Sequence, residues 1–418
     1  MRAKKEVFKE YFNNMNKTGN EFSKIRELIR SDSGKRFFLG VREDYLSIYY
    51  MGMSIATVKA LKNGGCSYSL SYYYLKGVKD VNGNYNYDNK TEGYFSLPSK
   101  VFWQKENFDR ILKNVEEHVL GFGKEGHIYL EKACQQWIIN TNNNDPGSKW
   151  YYADMEYIYK EDGEKSDHPF GRADIIAISK EPDDNGIFQL AFVELKVGTG
   201  AYGISIKVPD KIVKKEEQDE YRRKVKEWLK EDFWGEDVLN VKLGSGLSSH
   251  VVDFLHYFAD KKATMQLRKE IAGIIDIHKK FGLIGKDVPL YKLESENEIS
   301  NTADIYIVTY SEAPGIKKEM LSKKAQEKYT VPTMHEMKEQ FGKYFYKVEG
   351  SSSMPVECLI DPTAIDGLIR LKDEYIEFTD NNEEQKECIQ NIKNTDHRFV
   401  FRFIDVNDKE TNPVHCII

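Results

Sequence analysis

Asp174, Glu194 and Lys196 are the residues of this 418-residue chain whose types and spacing suit chemistry. Asp174 opens an otherwise apolar run, residues 175–178. Glu194 and Lys196 alternate with Val193, Leu195 and Val197 in a second β-type run, residues 188–197. Strand side chains alternate between faces at about 3.3 Å per residue, so Glu194 and Lys196 share a face roughly 6–7 Å apart. Leu195 points the other way, into apolar packing. Asp183-Asp184-Asn185-Gly186 is a turn signal that joins the runs as a hairpin and lets Asp174 stand beside the other two. Carboxylates are depleted from strands and costly to bury alone. Two readings fit. One is a structural salt bridge of Lys196 with Glu194 or Asp174. The other is a metal site, with two hard oxygen ligands for Mg²⁺ beside an ammonium.

Asp174, a gap that fits one hairpin, and Glu194-Leu195-Lys196 resemble the motif of the PD-(D/E)xK nuclease superfamily. Ala173 stands where many members carry Pro, a common departure. The resemblance covers residues 115–310. It implies an α/β (α+β) fold, a restriction-endonuclease-like core with a mixed central sheet flanked by helices. It also implies metal-dependent hydrolysis of phosphodiester bonds. Asp174 and Glu194, with Glu131 or His127, would hold one or two Mg²⁺ ions, for which Mn²⁺ can substitute. The Leu195 carbonyl would add an oxygen. Metal binding lowers the pKa of water from about 15.7 towards neutrality. Lys196 would orient or deprotonate that water. With an isolated pKa of about 10.4, it loses its proton only if burial outweighs its carboxylate neighbours, so an electrostatic role is expected. The implied substrate is DNA, cut by a homodimeric endonuclease of restriction or antiphage defence. Two alternatives stand: a catalytically silent nuclease-fold protein that binds nucleic acid or acts as a scaffold, and an RNA-cleaving enzyme on the same core.

The elements around the hairpin follow the order expected of that core. Residues 104–140 read as helical, broken near Gly121-Phe122-Gly123. Leu130, Ala133, Cys134, Trp137 and Ile138 form an apolar face at helical spacing. Glu131 borders that face and Glu125 lies nearly opposite, so Glu131 is the better helical acid and Glu125 the second. Gly126-His127 followed by Glu131 is similar to the RecB-like nuclease motif, in which a histidine helps bind metal. Strands follow at residues 150–159, 171–179 and 188–197. After Lys196, residues 198–203 are glycine-rich but lack the GxxxxGK[ST] pattern of a nucleotide-binding loop. Residues 207–240 read as a charged helical insertion, in which Arg222, Lys226 and Lys230 recur at helical spacing. In residues 244–258, His250, Asp253 and Tyr257 fall on adjacent helix positions, and His250 is a candidate to orient a water or contact the scissile phosphate.

The flanks divide the chain into three expected regions. Residues 1–112 read as a helix followed by a small antiparallel β domain rich in tyrosine. Residues 113–312 hold the nuclease core, with residues 304–310 as a further strand. Residues 313–418 read as an α+β region whose strand at 397–406 either belongs to a separate domain or completes the sheet. Five scattered cysteines suggest a reducing cytoplasm rather than a disulfide framework. No apolar run reaches eighteen residues, so no membrane span is expected, and the charged start lacks a signal-peptide core. The net charge of −6 means that a nucleic-acid enzyme needs a locally basic surface.

Overall fold

A computed structural model describes residues 21–30, 36–42, 44–61, 66–85, 87–88, 92–122, 127–158, 172–198, 206–208, 212–230, 242–243, 250, 254, 257–258, 261–333, 336, 356–357 and 399–404. The fold is mixed α/β, with two principal sheets. Helix α1 (Glu21–Arg30) precedes an antiparallel sheet of five strands in chain order: β1 (Phe37–Val41), β2 (Leu46–Tyr50), β3 (Met53–Ala60), β4 (Cys66–Ser71) and β5 (Tyr94–Pro98).

Two strands of this sheet end in a helical turn. The chain leaves β4 at Ser71 for a 3-10 turn, Tyr72–Tyr74, and leaves β5 at Pro98 for the short helix α2 (Ser99–Phe102). Proline has no N–H to carry a ladder onward. The turn lays Phe102 flat on Tyr68, with ring centroids 4.3 Å apart. Tyr49, Tyr50 and Tyr68, three of the four tyrosines in its strands, are buried and serve packing.

Helix α3 (Lys105–Val119) ends ahead of Gly121, whose φ of 80° is a left-handed conformation that glycine adopts without strain. Helix α4 (Leu130–Asn143) starts later than its sequence suggests. The Tyr129 N–H donates to the Val119 carbonyl at 3.1 Å, which folds the chain back on α3 before α4 can begin.

The second sheet is mixed and holds six strands. Strands β6 (Trp150–Ile158), β7 (Arg172–Pro182) and β8 (Phe188–Val197) run antiparallel. The turn between β7 and β8 is closed by Asp183, with Gly186 at φ 81°. A two-residue ribbon, β9 (Ile206–Lys207) with β10 (Lys242–Leu243), and helices α5 (Lys215–Lys230) and α6 (Lys261–Phe281) follow. Strand β11 (Ile299–Tyr310) then pairs parallel to β8. Helix α7 (Lys323–Lys328) comes next, and β12 (Val356–Glu357) and β13 (Phe399–Ile404) complete the sheet. β13 lies parallel to β11, so the C-terminal strand belongs to the central sheet.

Helices cover both faces of that sheet. Trp137 of α4 packs edge-on against Tyr310, which pairs with Val197 and so lies on the face opposite Glu194 and Lys196. The other face carries α6 and the helical residues Phe254, Tyr257 and Phe258, all three against Phe192. The buried positions of α6 include Leu267, Ile271, Ile274, Ile275, His278 and Phe281, a stripe at helical spacing.

The two sheets meet at a seam of satisfied polar groups. Arg42 Nη1 meets Asp154 Oδ1 at 2.7 Å, while Arg42 Nη2 donates to Tyr49 Oη at 2.7 Å and to the Met155 carbonyl at 3.2 Å. The Gln136 amide donates to the carbonyls of Arg36 and Tyr49 and accepts from Gly52 N–H. His278 lies between Leu39 of the first sheet and Tyr151 of the second. Its Nε2 contacts the Leu39 carbonyl at 3.0 Å and its Nδ1 contacts Tyr151 Oη at 2.9 Å. A carbonyl only accepts, so Nε2 carries the proton and Nδ1 accepts from the tyrosine.

Candidate active site

The site forms where β7 leaves β8. Backbone pairing of the hairpin runs up to Ile175 opposite Val193 and stops there. On its other side β7 stays paired with β6 through Ala173 and Arg172. The next step of the β7–β8 register sets Asp174 opposite Glu194, on one face. Asp174 replaces the missing ladder acceptor: its Oδ2 accepts from the Leu195 N–H at 2.8 Å. In a strand the N–H and C=O of one residue point to the same neighbour. The Leu195 carbonyl is therefore directed to the Asp174 side of β8.

Lys196 and Glu194 share that face, as their spacing requires. Lys196 Nζ stands 2.6 Å from Glu194 Oε1 and 3.8 Å from Glu131 Oε2. Glu131 lies in the first turn of α4, where a carboxylate also suits the helix dipole. His250 Nε2 is 3.6 Å from Glu194 Oε1. Asp174, Glu194 and Lys196 are buried, and the Glu131 side chain is 39% exposed. The structure thus brings together Asp174, Glu194, Lys196, Glu131 and His250. His127 lies exposed ahead of α4 and does not figure among the groups that set the acids' proton affinities. Glu125, Asp253 and residues 199–203 lie outside the described residues, as do the side chains of Lys226 and Lys230. Arg222 pairs with Asp219 of its own helix at 3.0 Å.

The cluster holds more acid than its buried cation can neutralise. Burial pushes the Asp174 carboxyl up to about 7, against the pull of Lys196. Burial and the Asp174 charge hold Glu194 well above the ordinary range, and burial raises Glu131 as well. Burial also works against the Lys196 ammonium, but Glu194, Asp174 and Glu131 outweigh it and raise its pKa. Lys196 is therefore a fixed cation at neutral pH.

Glu194 is the residue short of partners. Both its carboxylate oxygens are buried: Oε1 lies 2.6 Å from Lys196 Nζ, and Oε2 has no hydrogen-bond partner. Orphaned buried oxygens are costly, and a hard cation relieves them. The donor set is all oxygen, which fits Mg²⁺ or Mn²⁺. Among the described residues no group of three or more His, Cys, Asp and Glu side chains is placed to hold a metal ion. The oxygens present would supply part of a coordination shell and leave the rest to water and substrate.

Three neighbours, Glu156, Lys132 and Arg172, are not singled out by the sequence. Glu156 of β6 stands opposite Asp174 by register and adopts φ 54°. Its Oε2 meets Lys132 at 3.2 Å and Arg172 at 3.1 Å. An acid in an apolar strand is the signal that marks Asp174, and it applies equally to Glu156.

Set against family models, curated proteins and solved structures, the chain finds no significant match in any of the three.

Proposed function

We propose that this chain is a metal-dependent nuclease that hydrolyses phosphodiester bonds of DNA, built on a restriction-endonuclease-like core of the PD-(D/E)xK type. One observation carries the reading: Asp174 and Glu194 are buried on one face at a strand fork, with Lys196 held 2.6 Å from Glu194. A structural salt bridge needs one acid, whereas here Lys196 answers to three. Asp174, Glu194 and Glu131, with the Leu195 carbonyl, would hold Mg²⁺ or Mn²⁺. Such a metal, when bound, would supply Lewis acidity to the phosphoryl oxygens and a lowered pKa to water.

The chain's own residues do the rest. The Leu195 N–H fixes the Asp174 carboxylate against rotation. Lys196 presents a permanent positive charge where negative charge grows on the phosphoryl oxygens, and it keeps its proton throughout. His250 borders Glu194 and limits where that carboxylate can turn. By the same resemblance, the enzyme acts as a homodimeric endonuclease of cytoplasmic restriction or antiphage defence.

The test is cleavage of labelled DNA in Mg²⁺ or Mn²⁺ by the wild-type chain, Glu194→Ala and Lys196→Ala. Loss of the preorganised Lys196 charge is expected to slow cleavage by about 10²–10³-fold. Equal cleavage by all three proteins ends the assignment. A labelled RNA in the same assay separates the RNA-cleaving alternative. Nucleic-acid binding with no Mg²⁺ or Mn²⁺ uptake by calorimetry favours the silent scaffold.

A further inference from the structure

The acids of the fork pose a problem for any polyanionic substrate. Counted as ionised, Glu131, Asp174, Glu194 and Glu156 carry four negative charges, and the whole chain has a formal charge of −6. Lys196 is buried and engaged with Glu194. Two further cations stand at the rim. Arg172 precedes Asp174 by two residues on β7, and Lys132 follows Glu131 on α4. Both are brought to one carboxylate oxygen, Glu156 Oε2. Their side chains keep 47% and 32% exposure, while Glu156 keeps 17%. The cations therefore face solvent and the acid that gathers them lies beneath.

The backbone at Glu156 is unusual. Met155 pairs with Ile175 and Tyr157 with Ala173, so the register is regular on both sides, yet Glu156 takes a left-handed φ of 54°. A non-glycine residue held there is strained, and such outliers gather at functional sites. Here the departure sets the Glu156 carboxylate between a strand cation and a helix cation that no local sequence pattern joins.

We propose that Arg172 and Lys132, gathered by Glu156, form the contact that takes the DNA phosphate backbone beside the reactive site. The inference rests on the nuclease reading and names the residues that admit its substrate. Glu156 pre-orders the two cations in the free protein. A phosphate takes its place on their outward N–H groups when DNA binds. Arg172 presents a planar fork suited to phosphate oxygens, and Lys132 a point charge. With Lys196 these cations bring the local count to three positive against four negative charges, and one divalent ion turns the balance positive.

The test measures binding, not turnover. Fluorescence anisotropy of a labelled DNA duplex is recorded for the full wild-type chain in Ca²⁺, a hard oxygen-binding cation that replaces Mg²⁺ to hold back cleavage. The same chain with Lys132→Gln and Arg172→Gln added is the comparison. The double substitution is expected to weaken binding by about tenfold and to reduce the slope of log K against log salt by about 1.8, the loss of two phosphate contacts. Restoring the charge with Arg172→Lys in place of Arg172→Gln should recover part of both. An unchanged slope with a lowered melting temperature overturns the proposal and makes the triad structural. Failure of the wild-type chain to bind DNA at all overturns the nuclease reading along with it.

Discussion

At the seam between the sheets, charge is matched one to one. Asp154 is fully buried, and the Arg42 guanidinium that meets it also satisfies Tyr49 and the Met155 carbonyl. At the fork, three acids share Lys196, and Glu194 keeps one buried oxygen, Oε2, without a partner. The two regions touch the same strand: Asp154 and Glu156 stand two residues apart on β6. Burial is similar, so burial does not separate structure from function here. What separates them is whether the polar groups are finished by the protein itself. A finished network holds elements together; the unfinished one is where the proposed metal would bind.

The largest expected effect breaks the seam. Arg42→Met removes one partner of a buried pair and leaves Asp154 uncompensated. Breaking such a pair costs about 3–5 kcal/mol, which urea denaturation followed by circular dichroism would register. A loss under about 1 kcal/mol would mean that the seam carries little stability.

Metal should act on the other region alone. A cation that binds only the folded chain stabilises it by about 2.7 kcal/mol at one hundred times its Kd. Mg²⁺ should therefore raise the melting temperature of the wild-type chain and, by the same amount, that of Arg42→Met. Glu194→Gln should abolish the rise. A rise that survives Glu194→Gln would place the metal elsewhere and remove the contrast between seam and fork.

Much of the fork is legible in the sequence, because its parts are local. The Asp183–Gly186 turn fixes the hairpin, and period two puts Glu194 and Lys196 on one face. The apolar stripe of α4 marks Glu131, whose Oε2 comes within 3.8 Å of Lys196 Nζ. The parts that are not legible depend on distance along the chain. Arg42 and Asp154 are 112 residues apart. β13 joins β11 in parallel, a pairing that neither strand's own pattern specifies. The fork itself arises because β7 keeps its pairing with β6 after losing β8, and alternation alone predicts a hairpin paired to its end. Glu156 itself carries the signal of an acid in an apolar strand, but nothing in Met-Glu-Tyr signals its left-handed backbone.

Titration distinguishes the two regions by sign. Burial lowers the His278 pKa from its ordinary 6.5 to about 4, so the folded chain keeps the ring neutral where the unfolded chain takes up a proton. That contribution is complete above about pH 6.5 and is lost as pH falls towards 4. Asp174 runs the other way. Burial raises its carboxyl from 3.8 to about 7, so its contribution is complete below pH 4 and is lost as pH rises towards 7. Each group acting alone changes stability by about 1.4 kcal/mol per pH unit, in opposite directions over nearly the same window. Glu131 and Glu194 are also raised, so acid should win in the metal-free protein, which becomes more stable as pH falls from 7 to 5. His278→Gln should steepen that trend and Asp174→Asn should flatten or reverse it, as read from urea midpoints at each pH. Saturating Mg²⁺ should flatten it too, because a metal needs the carboxylates ionised and competes with their protons. A wild-type chain that instead loses stability on acidification, with Asp174→Asn unchanged from it, would mean that the fork acids are paired as completely as the seam.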